Sequence, residues 1–285
     1  MNEGEPAPQR TRLGAVWLVL GSIATVQIGA AIAKHLFGDL TPTGVVWLRL
    51  ASAAVVLLAI TRPRLRGRTA KDWLLVVVYA VTLAGMNWSI YQSFSRIPVG
   101  LAVTLEFLGP LAVALVTSRG VREVAWALLA GVGVVLLGFS PTSLSLSGIG
   151  FALLAGVGWA GYIVVSPHLG RRWSGISGLA VAHGIGALLF AAPALVANGP
   201  SYLHPTVLGL GVLVGILSSV IPYSLELKAL RTMPTRVFSI LMSLEPAFAA
   251  LAAFIILRES LNPVDLAAMA CVVAASVGIT RSVRG

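Results

Sequence analysis

Five ionisable residues stand inside stretches of the sequence that are otherwise apolar: Lys34, Arg49, Glu106, Glu226 and Glu245. If these stretches cross a bilayer, each charge near its centre costs about 2.5–3.5 kcal/mol on insertion scales. A chain retains such residues where they pair with one another or face a cavity. We expect functional roles for Lys34, Glu106 and Glu245, and a structural role for Glu226. Arg49 stays open between a structural salt bridge and a ligand contact.

Two of the acids lie beside prolines. The stretch VTLEFLGPLAVAL (103–115) places Glu106 four residues before Pro110, and SLEPAFAAL (243–251) places Glu245 directly before Pro246. Proline removes a backbone hydrogen bond and kinks a helix. In a membrane, such a break persists only where neighbours or a water-filled cavity satisfy the freed groups. The two motifs therefore predict helix breaks beside a binding site.

The composition indicates a membrane protein. The 285 residues are 57% hydrophobic and 11% charged, with a mean hydropathy of +0.92, whereas a soluble domain is about a quarter charged. The net charge is +10, but the basic residues occupy short gaps between apolar runs, which is typical of membrane orientation and not of nucleic-acid binding. The one cysteine, Cys271, excludes an internal disulfide framework.

The apolar runs predict an all-α protein with ten transmembrane helices, because a spanning helix needs about 20 mostly apolar residues. We read the first run as a retained helix and not as a signal peptide. With the N-terminus in the cytoplasm, most of the lysine and arginine residues face the inside and only Arg96 and Arg258 face outwards, so both termini are expected inside. The predicted segments lie near 13–37, 43–61, 72–94, 99–117, 122–140, 148–166, 175–197, 206–227, 235–257 and 263–281.

A shift of the chain by 136 residues aligns several landmarks. Since each half holds five helices, the second half must enter the membrane from the opposite side, which is the inverted repeat typical of secondary transporters. We therefore expect a cytoplasmic tail at 1–12, a first five-helix repeat at 13–140 and a second at 147–281. The aligned landmarks are Gly14 with Gly150, Pro98 with Pro234, Pro110 with Pro246, and Arg122-Glu123 with Arg258-Glu259.

Polar side chains recur at helical spacing on several predicted helices, and together they predict a wet cavity lined from both halves. An intramembrane serine hydrolase is the alternative from another class, because GISG (175–178) is followed by His183. Ser177 and His183 lie about 240° apart around one helix, so we expect no enzyme. No metal cluster, ATP-binding loop or cofactor motif occurs in the sequence, so gradients must drive any transport. The polar stripes are Asn87, Tyr91 and Phe94; Gln27 and Lys34; Trp159, Tyr162 and Ser166; and Ser219, Tyr223 and Glu226.

The chain resembles the EamA-type members of the drug/metabolite transporter superfamily, and within them the threonine/homoserine exporters. The resemblance places Lys34, Asn87, Glu106, Tyr223 and Glu245 on characteristic motif positions. One departure is that Arg258-Glu259 stands where the superfamily commonly has Gly-Glu. The stretches that carry the resemblance are GAAIAKHLF (29–37), WLRLASA (47–53), GMNWSIYQSF (85–94), IPVGLAVTLEFLGPLAVAL (97–115), GWAGYI (158–163), IPYSLE (221–226) and MPTRVFSILMSLEPAFAAL (233–251).

The resemblance implies export of small amino acids across the bacterial cytoplasmic membrane by alternating access, with protons as the coupling ion. Export of other drugs or metabolites on the same fold is the alternative, and a homodimer is left open. An α-amino acid requires one fixed cation and one fixed anion in a low-dielectric cavity, and a buried carboxylate can also carry a proton. We expect Glu106 to bind the ammonium and Glu245 to carry the proton. The candidates are Lys34 or Arg49 for the carboxylate, Glu106 or Glu245 for the ammonium or the proton, Asn87, Tyr91 or Tyr223 for a hydroxyl, and Trp159 and Tyr162 as further cavity residues.

Overall fold

The computed structural model describes residues 9–116, 121–137, 145–230, 232–233 and 235–282. Within these residues every regular element is a helix and no strand occurs, as the sequence predicts. The N-terminal tail up to residue 8, the last residues of the fourth and fifth predicted segments, and Pro234 lie outside the described residues.

Thirteen α-helices form the described part of the chain. Short 3-10 turns at Leu36–Gly38 and Gly199–Leu203 and π-helical segments at Ile216–Val220 and Ala253–Leu257 connect or extend them. The helices are α1 (Gln9–His35), α2 (Pro42–Thr61), α3 (Ala70–Phe94), α4 (Val99–Glu106), α5 (Leu108–Val116), α6 (Val121–Leu137), α7 (Leu146–Arg172), α8 (Ser177–Asn198), α9 (Pro205–Gly215), α10 (Ile221–Leu230), α11 (Thr235–Met242), α12 (Glu245–Ala252) and α13 (Pro263–Ser282).

Seven helical stretches within the described ranges are long and apolar enough to cross a membrane. Three shorter apolar helices accompany them, at Val99–Val113, Val124–Leu136 and Pro263–Gly278. These long and short stretches fall on the segments that hydropathy predicts. The seven are Gly14–Gly38, Pro42–Thr61, Ala70–Phe94, Leu146–Arg172, Ser177–Leu203, Pro205–Leu230 and Val237–Leu257.

Local sequence signals explain where the helices begin. Thr41 caps α2, since its side chain accepts a hydrogen bond from the Gly44 amide, and Pro42 occupies the first turn, where its missing N–H leaves no helical bond unmade. A capping box begins α3: the Thr69 hydroxyl accepts from the Asp72 amide, and the Asp72 carboxylate accepts from the Thr69 amide. Such caps satisfy backbone groups that a helix end would otherwise leave unpaired.

The long helices pack as antiparallel pairs, each joining a helix from residues 9–137 to one from residues 145–282. The pairs are α1 with α10, α2 with α8, α3 with α7, and α6 with α13. Glycines permit close approach: Gly44 lies against Asn198 at one end of the α2–α8 pair, and Gly184 faces Leu58 near the other. Large apolar side chains such as Val55 and Leu188 are exposed on the outside of the bundle, as contact with lipid requires.

The two ends of the bundle carry different charged groups. We call the end with the α1–α2 connection the Lys34 end, because Lys34 forms an ion pair there, and the opposite end, with the α2–α3 connection, the Asp72 end. At the Asp72 end, Arg172 donates to the Asp72 carboxylate at 2.8 Å. The Arg68 guanidinium there lies 4.1 Å from the ring centre of Trp173. These contacts hold the ends of α3 and α7 together.

Arg258 occupies a backbone conformation that favours glycine. It follows the π-helical segment Ala253–Leu257 with φ 59° and ψ 25°, in the left-handed region. A glycine, which the superfamily commonly has at this position, would suit this conformation, and here an arginine adopts it. A residue with a Cβ is disfavoured there by about 1–2 kcal/mol.

Replacing Arg258 with glycine is therefore expected to stabilise the protein by about 1 kcal/mol and to raise its thermal unfolding midpoint by a few degrees. The measurement is thermal unfolding of the purified protein in detergent. Arg258→Ala is the control, because alanine keeps the Cβ and should give no such gain. Equal stabilisation by both substitutions would show that the arginine side chain, and not the backbone, is the source of the strain.

Candidate functional site

A cavity of about 630 Å³ lies between helices of both halves. Its volume is in the range of small-molecule sites, about 300–1,000 Å³. The structure brings most of the predicted site residues to its wall, but not Lys34 or Pro246. Those that line it are Arg49, Asn87, Tyr91, Glu106, Pro110, Trp159, Tyr162, Tyr223 and Glu245.

Arg49 is the one basic side chain among the described residues that line the cavity. It is buried, and its guanidinium donates from Nε to Ser219 Oγ at 3.3 Å, from Nη1 to the Tyr91 hydroxyl at 3.3 Å and from Nη2 to the Ser218 carbonyl at 2.9 Å. A guanidinium has five N–H donors. Within the described residues, one N–H on each terminal nitrogen is thus left for a ligand.

The local backbone explains how Arg49 is held. Ser218 and Ser219 belong to the π-helical segment Ile216–Val220, which interrupts the helix between α9 and α10. Such single-turn π segments loosen the regular bonding pattern and are frequent at functional sites. Here the segment places the Ser218 carbonyl and the Ser219 hydroxyl within reach of the guanidinium.

Glu106 is the last residue of α4 and lies at the predicted break. Helix α5 begins two residues later, and Pro110 has no N–H to donate to the Glu106 carbonyl four residues earlier. The chain is pressed against α7 at this point: a Cβ on Gly109 would overlap the Gly156 carbonyl, and a Cβ on Gly156 would lie 2.8 Å from the Glu106 carbonyl oxygen. Two glycines thus let the broken helix approach α7 and leave the Glu106 side chain in the cavity wall.

Glu245 is placed differently, at the beginning of a helix. Helix α11 ends at Met242, and α12 begins with Glu245 and Pro246 in its first turn. An acid in a first turn is favoured by the helix dipole, and a proline there breaks no helical bond. Glu106 therefore lies at the C-terminal end of a helix and Glu245 at the N-terminal end of one.

Glu226 is a cavity residue that the sequence interpretation treated as structural. It is on α10, lines the cavity, and its Oε1 accepts a hydrogen bond from Ser22 Oγ on α1 at 2.7 Å. Its spacing from Tyr223 on one helix face, one of the polar stripes in the sequence, is the signal that favoured the cavity. The cavity wall therefore carries three carboxyl groups and one guanidinium within the described residues.

Lys34 lies away from this cavity. Its Nζ pairs with Glu259 Oε1 at 2.6 Å and donates to the Ile97 carbonyl at 3.1 Å. The other carboxylate oxygen, Glu259 Oε2, accepts from the Val99 amide at 2.9 Å. Lys34 faces a separate groove at the Lys34 end, beside Arg96. The structure thus places Lys34 outside the wall of the central cavity, and sequence reasoning missed Glu259 as its partner.

Aromatic side chains form much of the remaining wall. The Trp159 and Phe107 rings meet edge to face with centres 5.3 Å apart, and the Tyr162 ring lies 5.3 Å from that of Tyr79. Such pairs add rigidity to the site because rings prefer these tilted geometries. Tyr91 also lies near Phe94, with ring centres 5.5 Å apart.

The cavity extends unequally towards the two ends of the bundle. Towards the Lys34 end its wall stops at Phe94 and Val103, which are buried. Towards the Asp72 end it reaches Pro167 on α7 and the exposed Leu230 at the end of α10. The cavity therefore extends further towards the Asp72 end than towards the Lys34 end.

The candidate serine dyad has no catalytic geometry. Ser177 Oγ donates to the Ser174 carbonyl at 2.7 Å, and His183 Nδ1 lies 2.9 Å from the Leu179 carbonyl. Both residues are buried and neither belongs to the wall of the cavity. Among the described residues no group of three or more histidine, cysteine, aspartate or glutamate side chains could hold a metal ion.

Apolar helices around a central cavity with charged walls are typical of a membrane transporter. Comparison with known proteins agrees: the chain belongs to the EamA-like transporter family, whose model matches residues 146–281. It is 41% identical to the threonine/homoserine exporter RhtA of Escherichia coli K12, over 97% of this chain and 96% of the relative. It is 40% identical to that of Salmonella typhimurium LT2 over the same shares.

A solved crystal structure with 20% sequence identity has the same fold, with a TM-score of 0.66 over 96% of this chain and 99% of the other. Since the relatives are bacterial exporters and the helices are apolar, the chain is a multi-pass protein of the bacterial inner membrane.

Proposed function

We propose that this protein is a secondary active exporter of small hydroxylated amino acids of the threonine and homoserine type. The observation that carries the proposal is the buried Arg49, which has one N–H left on each terminal nitrogen, in a cavity that also holds Glu106, Glu226 and Glu245. A guanidinium suits an α-carboxylate, and a carboxylate suits an ammonium. We name threonine and homoserine because the relatives are named as exporters of these two amino acids.

Charge distinguishes this substrate class from the alternative of apolar drugs on the same fold. A buried ion without a partner is costly, and an apolar ligand would displace water from Arg49 and the three acids without replacing its hydrogen bonds. A zwitterion supplies a carboxylate as the counter-ion of Arg49 and an ammonium as the counter-ion of an acid. The cavity therefore favours an amino acid over an apolar compound.

The test is transport by proteoliposomes that are loaded with a panel of labelled amino acids, with and without a pH gradient. We expect counterflow of threonine and homoserine, and uphill efflux only with the gradient. Counterflow of apolar drugs without counterflow of any amino acid would overturn the proposal in favour of the alternative.

The proposed architecture is ten spans in two inverted repeats with both termini in the cytoplasm. Helix positions support it: α1 and α7 are both 27 residues long, and the bounds of α4 and α11 differ by the shift of 136 residues. The packing supports it as well, because α1 with α10 becomes α7 with α3 under the same shift. The Asp72 end is then cytoplasmic, and the cavity extends towards it.

Single cysteines at positions 122 and 258, in a Cys271→Ala background, should react with an impermeant thiol reagent from opposite faces of the membrane. The reason is that an odd number of spans in each half inverts the second half. The measurement is labelling of intact cells and of inside-out vesicles. Labelling of both positions from the same face would contradict the inverted repeat.

Alternating access requires the Lys34 end to open in turn, and the ion pair of Lys34 and Glu259 is our proposed closure of that end. Glu259→Gln should therefore increase, severalfold, the reaction of a cavity cysteine, Ile90→Cys in the Cys271→Ala background, with an impermeant reagent added outside. Arg258→Gln is the matched control, since it removes a neighbouring exposed charge. An equal rate in both variants would show that the ion pair does not keep this end closed.

A further inference from the structure

Four buried side-chain atoms lack a hydrogen-bond partner in the part of the chain that the structure describes, and two of them belong to residues in the cavity wall, Gln27 and Ser218. A buried polar atom without a partner costs about 1–3 kcal/mol. Such atoms are rare in native proteins, and each requires an explanation. A ligand that supplies the missing hydrogen bond is one such explanation for a residue that lines a cavity.

The two residues differ in what surrounds them. The Ser218 hydroxyl is covered by α1, because a Cβ on Gly29 would overlap it. Gln27 is 3% exposed and lines the cavity from α1. Its Oε1 has no partner, and rotation about its last side-chain bond exchanges an acceptor oxygen for an NH₂ donor. Of these two residues, Gln27 is therefore the one whose missing hydrogen bond a ligand in the cavity can supply.

Gln27 lies close to the level of Arg49 in the bundle. Gly29 contacts Ser218, and the Ser218 carbonyl accepts from Arg49 Nη2 at 2.9 Å. Gln27 is two residues from Gly29, which is about 3 Å along the helix axis. A small molecule whose carboxylate binds Arg49 is therefore at about the level of Gln27 along the bundle.

We propose that Gln27 is the residue that selects a hydroxyl group on the substrate side chain. The carboxamide is neutral and carries both a donor and an acceptor, as a hydroxyl does, whereas the three acids of the wall suit the ammonium. Two of the predicted hydroxyl-binding residues use part of their hydrogen-bonding capacity within the protein, since Asn87 Nδ2 donates to the Leu83 carbonyl at 2.8 Å and the Tyr91 hydroxyl accepts from Arg49. This inference rests on the proposed function and identifies what makes that site specific.

Competition between threonine and valine tests it, because the two have nearly the same shape and differ by a hydroxyl in place of a methyl group. In the wild-type protein, threonine should inhibit threonine counterflow on the order of 10-fold to 100-fold more strongly than valine, since valine leaves the carboxamide unpaired. Gln27→Met keeps the length of the side chain and removes its hydrogen bonds. We expect the ratio to fall close to one, with valine binding as well as or better than before.

Thr25→Val is the matched control on the same helix, because Thr25 bonds to the Ser22 carbonyl and is not part of the cavity wall. Its threonine-to-valine ratio should equal that of the wild type. Gln27→Leu is a second apolar replacement and must give the same loss of preference as methionine. A Gln27 variant that still performs counterflow with an unchanged ratio overturns the role of Gln27 alone. A wild-type protein that binds neither amino acid overturns the proposed function as well.

Discussion

Replacing Arg49 with methionine is expected to weaken amino-acid binding by about 100-fold or more while the protein still inserts into the membrane. The guanidinium is the one cation among the described residues of the cavity wall. Removing one member of a buried pair of opposite charges typically costs about 2–5 kcal/mol, and the substrate carboxylate would then face Glu106, Glu226 and Glu245 without a counter-ion. Arg49→Lys should also weaken binding, because an ammonium cannot make the two parallel hydrogen bonds that a planar guanidinium makes to a carboxylate. The measurement is the half-saturating threonine concentration for counterflow in proteoliposomes.

Lys34→Met is the matched control for this experiment. Both residues are cations inside apolar stretches, but Lys34 pairs with Glu259 outside the cavity. Its removal should leave the half-saturating concentration from the cytoplasmic side within a few-fold of the wild-type value. Normal binding by Arg49→Met would contradict the charge model of the site. An Arg49→Met protein that fails to express would instead indicate a structural role for the arginine.

Glu106→Gln and Glu245→Gln are expected to have different effects, although both remove a charge and keep the shape. Glu106 is our choice for the substrate ammonium, so Glu106→Gln should abolish binding and counterflow. Glu245 is our choice for the proton carrier, so Glu245→Gln should preserve counterflow, which needs no net proton movement, and lose uphill efflux driven by a pH gradient. The structural basis is their placement at the C-terminal end of α4 and in the first turn of α12, respectively.

Two assays on the same proteoliposomes separate these roles. Counterflow at equal pH reports substrate binding and exchange, and efflux against a concentration gradient reports coupling. Glu226→Gln belongs in the series, since this third acid lines the cavity and is bonded to Ser22. The reverse pattern for Glu106 and Glu245 would exchange their roles. Full activity in both variants would show that neither carboxyl group takes part.

The sequence alone determined the positions of the helices and of the two breaks. Continuous apolar runs of the length of a bilayer have few alternatives to helix. Pro110 and Pro246, each near an acid, stand at the two breaks, whereas Pro167 and Pro193 lie inside unbroken helices. The convergence of Arg49, Glu106 and Glu245 on one cavity was predictable as well, because isolated charges in apolar helices must face a polar space. Helical spacing similarly placed Tyr91 and Trp159 on faces that turn inwards.

Only the tertiary structure decided which charged residue meets which partner. Helical periodicity gives the direction of a side chain relative to its neighbours on one helix, but it does not say which helix lies opposite. Lys34 and Glu259 are 225 positions apart, and Ser22 and Glu226 are separated by 204. Both contacts depend on how α1 packs between helices of the other half. This packing places Lys34 in an ion pair at the end of the bundle, whereas Arg49, on α2, lines the cavity. The same packing buried Gln27 Oε1 without a hydrogen-bond partner among the described residues, because the helices around a side chain set its surroundings.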